Sequence, residues 1–130
     1  KLEITERALV DSDSARQRIR TLRQQGHLVA IDDFGTGYSS LSYLESFELD
    51  ALKIDKSFVD AIENQAVTSS VIVHVIEMAK SLNLDIIAEG VECDHQAKWL
   101  LSQGVRLGQG YLFSRPLTAH QFIDFHQKYS

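Results

Sequence analysis

The chain has 130 residues and a formal net charge of -5 with histidine neutral. That length fits one domain with a modest core, and the acidic balance argues against binding DNA or RNA polymers, which want a basic surface. Cys93 is the only cysteine, which excludes an intrachain disulfide and a cysteine zinc site, so a reducing, cytoplasmic setting is expected.

No apolar run approaches membrane-spanning length and no secretory signal is visible. The chain opens on Lys1 in a strand-like segment and reads as a piece of something longer. Leu2-Glu3-Ile4-Thr5 is a short strand. The run from Asp11 to Ser14 supplies N-caps for a helix through Ile19 and Leu22 that ends near Gly26. Leu28 to Ile31 is a buried strand with Asp32 and Asp33 at its carboxyl end. Ser39 to Leu44 reads as a short helix, and Leu49 to Asp55 as the next strand.

The longest helix spans Val67 to Leu82, with Val67, Val71, Ile72, Val75, Ile76, Ala79 and Leu82 on a broad apolar face. Leu84 to Ala88 is a strand. Asp94 is the expected N-cap of a helix ending near Gly104, without a capping box because Ala97 stands three residues on. Trp99 packs that helix on the sheet. Val105 to Phe113 holds a last strand and a glycine loop. Thr118 and Gln121 open a C-terminal helix just after Pro116. Strands joined through helices imply an α/β fold with parallel pairing. A (β/α)8 barrel takes about 250 residues. Four or five strands therefore amount to a partial TIM-like barrel, about half of one.

Polar residues gather at the carboxyl ends of these strands, where parallel sheets and barrels place their chemistry. Glu3 alternates with Leu2 and Ile4, so it either points into the barrel mouth or frays into solvent. Glu6 equally suits the surface of the following loop. Asp32 and Asp33 repel one another unless a cation offsets them, so they either hold metal or cap the next helix. Gly35 and Gly37 allow a tight turn beside them, and Tyr38, Ser39 and Ser40 can hold that loop or touch a ligand.

Lys53 alternates with Leu52 and Ile54. In the mouth it must pair with carboxylates; on an open sheet it is a surface lysine. Asp55 shares its face, as a ligand or as its partner. Glu89 is a candidate metal ligand or acts on water, and Glu92 suits holding the Asp32–Ser40 loop; otherwise both are exposed acids of a capping loop. Gln109 can bond a ligand or metal-bound water, Phe113 can contact a base and Arg115 a phosphate. Tyr111 fits either the core or a pocket wall. The five histidines are scattered and form no metal cluster.

Five segments in this order resemble the EAL domain of bacterial cyclic-di-GMP phosphodiesterases. They are Leu2 to Glu6, Asp32 to Leu41, Lys53-Ile54-Asp55 with Phe58-Val59, Ala88 to Glu92, and Gln109 to Pro116. The resemblance covers essentially the whole chain. It implies a modified (β/α)8 barrel that hydrolyses one phosphodiester bond of cyclic-di-GMP to linear pGpG with Mg²⁺ or Mn²⁺. It implies that Glu3, Asp32, Asp33 and Glu89 are metal ligands, Asp32 bridging two ions. Lys53 matches a lysine that contacts the nucleophilic water, and with Asp32 and Glu89 makes the expected catalytic set. Glu92 matches a glutamate that steadies the Asp33–Ser40 loop, with Gly35, Gly37 and Ser39 in that loop. Gln109 matches a site glutamine, and Phe113, Arg115 and Asp55 complete the expected substrate contacts.

The Glu-Ala-Leu signature, an Asn ligand and a substrate arginine are expected upstream of Lys1. Residues 1–130 are therefore expected to be the C-terminal portion of an EAL domain, ending naturally at Ser130. The parent protein is expected to be active and the piece alone inactive as a monomer. Expected partners are cyclic-di-GMP, a second copy through EAL surfaces or open barrel edges, and an upstream sensor or GGDEF domain. A parent anchored in the membrane would keep this domain on the cytoplasmic side, in signalling that controls biofilm and motility. The other reading is a noncatalytic module that binds nucleotide or protein.

Overall fold

The computed structural model describes residues 1–9, 12–34, 44–63 and 68–130. Strand β1 (Leu2–Thr5) leads through a 3-10 turn (Glu6–Leu9) into helix α1 (Ser12–Gln24). Next come β2 (Val29–Phe34), β3 (Ala51–Ile54), the short α2 (Lys56–Asp60) and the long α3 (Thr68–Ser81). β4 (Asp85–Glu89), α4 (Asp94–Ser102), β5 (Leu107–Gln109) and α5 (Ala119–Tyr129) complete the order. The strands form one five-stranded sheet in the order β1-β2-β3-β4-β5, with every neighbouring pair parallel. Parallel neighbours need a crossover between them, and sequential order without a jump is the arrangement of a barrel wall. The α/β expectation holds, with five strands.

The central strands are apolar without alternation. Val29, Ala30 and Ile31 of β2 and all four residues of β3 are buried. Burial on both faces is what continuous apolar strands of a parallel sheet require. Ile72, Ile76 and Ala79 of α3, spaced four and three apart, enter the core. Val71 does not share that face as expected and is 44% exposed, because it stands about 100° around the helix from Ile72. Trp99 is partly buried against the core, as its helix predicts.

The edges differ from the centre. β5 is exposed throughout, β1 nearly so, and α5 buries no residue. α5 begins as its sequence predicts: the Gln121 amide donates to the Thr118 hydroxyl at 3.3 Å and the Thr118 amide to Gln121 Oε1 at 3.0 Å. α4 corrects its expectation. It starts one residue earlier, with Cys93 as N-cap, so the third residue on is Gln96 and not Ala97. Gln96 is buried, and its side-chain oxygen accepts from the backbone N–H groups of Glu92 and Cys93. The short helix expected over 39–44 lies, except for Leu44, outside the described residues. Among the described residues no helix is long and apolar enough to cross a membrane.

Candidate active site

Lys53 sits near the carboxyl end of the most buried strand and is 3% exposed. Leu52 and Ile54 turn to one side of β3, so period-two alternation sends Lys53 to the other. A buried ammonium must be paired. Its Nζ lies 2.9 Å from Glu3 Oε2 on β1, 3.6 Å from Asp32 Oδ1 on β2 and 3.5 Å from Glu89 Oε2 on β4. Four parallel strands in sequence order thus bring acids from far before and far after the lysine onto one point. Burial alone would push the lysine down. The hydrogen bond to Glu3 and the charges of Glu89, Asp32 and Glu3 outweigh it and hold Lys53 above the ordinary lysine range.

Asp32 reaches this point beside a break in the sheet, and Asp33 takes up the extra residue. Ile31 pairs with Leu52 and Phe34 with Ile54, so β2 spends one more residue than β3 between those rungs. Asp32 and Asp33 together stand opposite Lys53. A regular strand would send consecutive side chains to opposite faces; a bulge changes that alternation. Asp33 takes the left-handed conformation at φ 56°, which aspartate tolerates better than most residues, and its N–H donates to Asp32 Oδ1 at 2.8 Å.

Glu89 ends β4, and the turn after it is clamped from two sides. Gly90 has φ 75°, and a Cβ there would lie 2.4 Å from Lys56 Cγ. On the other side a Cβ on Gly110 would lie 2.1 Å from the Val91 carbonyl oxygen. Only glycine allows that approach, which lets Val91 N–H donate to the Gln109 carbonyl at 3.1 Å and Leu112 N–H to the Val91 carbonyl at 3.0 Å. The Lys56 ammonium joins Asp60 at 2.8 Å and Glu92 at 3.1 Å. Lys56 is the residue that ties the segment after β3 to the turn after β4, and its sequence carried no signal beyond a charge near Lys53.

Two expectations are corrected here. Asp55 is not the partner of Lys53. It is the N-cap of α2, accepting from the Ser57 N–H at 2.9 Å and from the Ser57 hydroxyl. The Ser57 hydroxyl first, then backbone N–H groups, hold its carboxyl below the usual carboxylate range against the opposing effect of burial. Glu6 is no surface residue. It is 8% exposed, and both carboxylate oxygens are buried without a hydrogen-bond partner among the described residues. Glu92 shows its bond to Lys56, whereas Gly35, Gly37 and Ser39 of the loop it was expected to hold lie outside the described residues.

A cavity of about 500 Å³ runs from Glu89 across the β5 loop, lined by Lys56, Glu92, Gln109, Tyr111 and Arg115 among others. Gln109 pairs in register with Glu89. The Arg115 guanidinium lies 4.7 Å over the Tyr111 ring, so Tyr111 belongs to the pocket wall and not to the core. Phe113 stands apart from the cavity, half-exposed, with its ring over Gly108.

The acids fit divalent cations by donor chemistry: Glu3, Asp32, Asp33 and Glu89 offer only oxygen, the set hard ions such as Mg²⁺ and Mn²⁺ take. In this arrangement Glu3, Asp32 and Glu89 are drawn to Lys53. Among the described residues no three histidine, cysteine or acidic side chains are grouped to hold a metal ion, the histidines included.

Residues 1–116 match the EAL domain family. This chain belongs to that family. It is 48% identical over 128 residues to the probable cyclic di-GMP phosphodiesterase PdeB of Escherichia coli K12, covering 98% of this chain and 24% of that protein. The EAL domain of Mycobacterium smegmatis DcpA superimposes with a TM-score of 0.90 at 40% identity, over 98% of this chain and 57% of that one. Klebsiella pneumoniae BlrP1, solved as a manganese and cyclic-di-GMP complex, gives a TM-score of 0.77 at 40% identity, over 88% of this chain and 29% of its own. The chain spans about a quarter of the length of the relatives it matches.

Proposed function

We propose that this chain is the C-terminal portion of an EAL phosphodiesterase domain and carries part of the site that hydrolyses cyclic-di-GMP to linear pGpG. The observation that carries the reading is the buried Lys53 ammonium under Glu3, Asp32 and Glu89 at the carboxyl ends of parallel strands. BlrP1 supports it, since that relative holds manganese and cyclic-di-GMP together.

Glu3, Asp32, Asp33 and Glu89 are the residues that would hold Mg²⁺ or Mn²⁺. Bound there, the ions supply Lewis-acid stabilisation of charge on the phosphoryl oxygens. The other roles belong to side chains. Lys53 donates hydrogen bonds that orient the attacking water and offset charge growing on the phosphate. Glu89, 3.5 Å from that ammonium, would accept the water's proton. Gln109 and Arg115 line the adjoining cavity and would bind the nucleotide; the substrate contacts expected of Phe113 and Asp55 would lie beyond that lining. Glu92, with Gly35, Gly37 and Ser39, would steady the loop after Asp33. The same reading includes a homodimer and an upstream sensor or GGDEF domain, and sedimentation of the full-length protein as a monomer at micromolar concentration would remove the dimer.

Incubation of the full-length protein with cyclic-di-GMP and Mg²⁺, read by chromatography, tests the reading. Linear pGpG should accumulate, stop with EDTA, and fall to background in Asp32→Asn. Absence of pGpG with tight nucleotide binding retained would favour the second reading, a noncatalytic nucleotide module. That reading draws on the engagement of the three acids by Lys53, which leaves the adjoining cavity as the binding surface.

A further inference from the structure

We propose that Lys53 is the resident counter-cation of the acidic site, and that a divalent ion binds by taking carboxylate oxygens away from it. The inference rests on the phosphodiesterase reading and adds to it a competition between lysine and ion. Three acids from three strands converge on one ammonium, at 2.9, 3.5 and 3.6 Å. Like charges this close do not gather unless something positive gathers them. The ammonium is 3% exposed, so water screens its attraction poorly, whereas the acids stay partly open, at 43%, 22% and 32% side-chain exposure for Glu3, Asp32 and Glu89.

The three carboxylates drawn to Lys53 carry more negative charge than one ammonium offsets, which leaves them able to take cations. The oxygens already drawn to Lys53 must then be shared or released. Lys53 therefore holds the acids together before an ion arrives and at the same time weakens their grip on it. Releasing an acid to the ion frees ammonium hydrogens, which become available to water and phosphate. The competition thus couples ion loading to the catalytic role proposed for Lys53.

The test uses Mn²⁺ alone, without nucleotide, on the full-length protein. Mn²⁺ affinity is read by electron paramagnetic resonance titration and thermal stability with EDTA or Mn²⁺. Lys53→Met removes the charge and keeps the stem. It should bind Mn²⁺ at least about tenfold more tightly than the wild type. It should also melt lower in EDTA and recover more on adding Mn²⁺. Lys53→Arg keeps the charge and, with a fork that pairs carboxylates at least as well, should bind Mn²⁺ no more tightly than the wild type. It also serves as the readable variant if the Met form fails to fold even with Mn²⁺, since a tenfold tighter Arg variant overturns the proposal. Equal or weaker Mn²⁺ binding by Lys53→Met, with the wild type binding normally, overturns the competition and leaves the phosphodiesterase reading standing. Absence of Mn²⁺ binding in both forms overturns both.

Discussion

The two ends of the same sheet carry ionic clusters built on opposite arithmetic. At the amino end, Arg20 and Arg23 of α1 meet Glu48 and Asp50. Arg23 grips Asp50 with two nitrogens, at 2.9 and 3.2 Å, and reaches Glu48 at 3.2 Å. Asp50 also accepts the Val29 N–H at 2.8 Å. The two arginines match the two acids in number, Lys1 adds a further positive charge near Asp50, and the bidentate fork satisfies its carboxylate. At the carboxyl end one lysine faces three acids and leaves a surplus of two negative charges. A balanced cluster is a staple. It joins α1 to the starts of β2 and β3 and asks for nothing further. An unbalanced one is stable only while its surplus is tolerated by water or met by a cation, which fits the function proposed for this end.

Substitutions at each end separate the two roles. The largest effect is expected at the carboxyl end: Lys53→Met should lower steady-state pGpG formation by about 10²–10³-fold, the cost of removing one positioned donor from developing charge. The same change in the presence of Mn²⁺ should leave stability close to that of the wild type. At the amino end the pattern reverses. Asp50→Ala strands the Arg23 fork and the Val29 N–H, and should cost about 2 kcal/mol in urea denaturation while Mn²⁺ affinity stays unchanged. A loss of Mn²⁺ binding in that variant would break the division of labour between the ends.

Acid sharpens the same contrast. Burial pushes the Asp50 carboxyl upward, but hydrogen bonds from Arg23 and Val29 and the positive charges of Arg23 and Lys1 hold it below its ordinary 3.8. A depressed folded-state pKa stabilises above the unfolded value and loses that contribution as pH falls through the folded one. Wild-type stability should drop below about pH 4, and the Asp50→Ala variant should show a shallower acid limb in the same titration. The smallest effect belongs to Arg20→Ala. Arg20 is mostly exposed and touches Glu48 at 3.5 Å, so its loss should shift stability by less than about 0.5 kcal/mol.

What was legible in the chain came from periodicity and position. Apolar runs at Val29–Ile31 and Ile86–Ala88, punctuated by helices, spell a parallel sheet, and acids at their ends mark the candidate site. Alternation about Leu52 and Ile54 turned Lys53 the right way. The hidden features were events of the backbone and of partner choice. The extra residue at Asp32 and Asp33 leaves no mark in the composition, because a bulge is set by how β2 meets β3. Asp55 has the right parity to face Lys53, yet the start of α2 offers it closer donors. Glu6 reads as loop, but it opens a 3-10 turn that packs on β1 and β2, where it is buried. The one-residue shift of α4, from Asp94 to Cys93, depends on Gln96 reaching back to two backbone donors.

Manganese-soaked crystals of the protein give the most direct test, through the anomalous difference map. A peak is expected on the Asp32 carboxylate, within reach of Glu3, Asp33 and Glu89, and none at Glu48 and Asp50. A map with manganese at the amino-end cluster, or with nothing at Asp32 at millimolar Mn²⁺, would contradict that expectation.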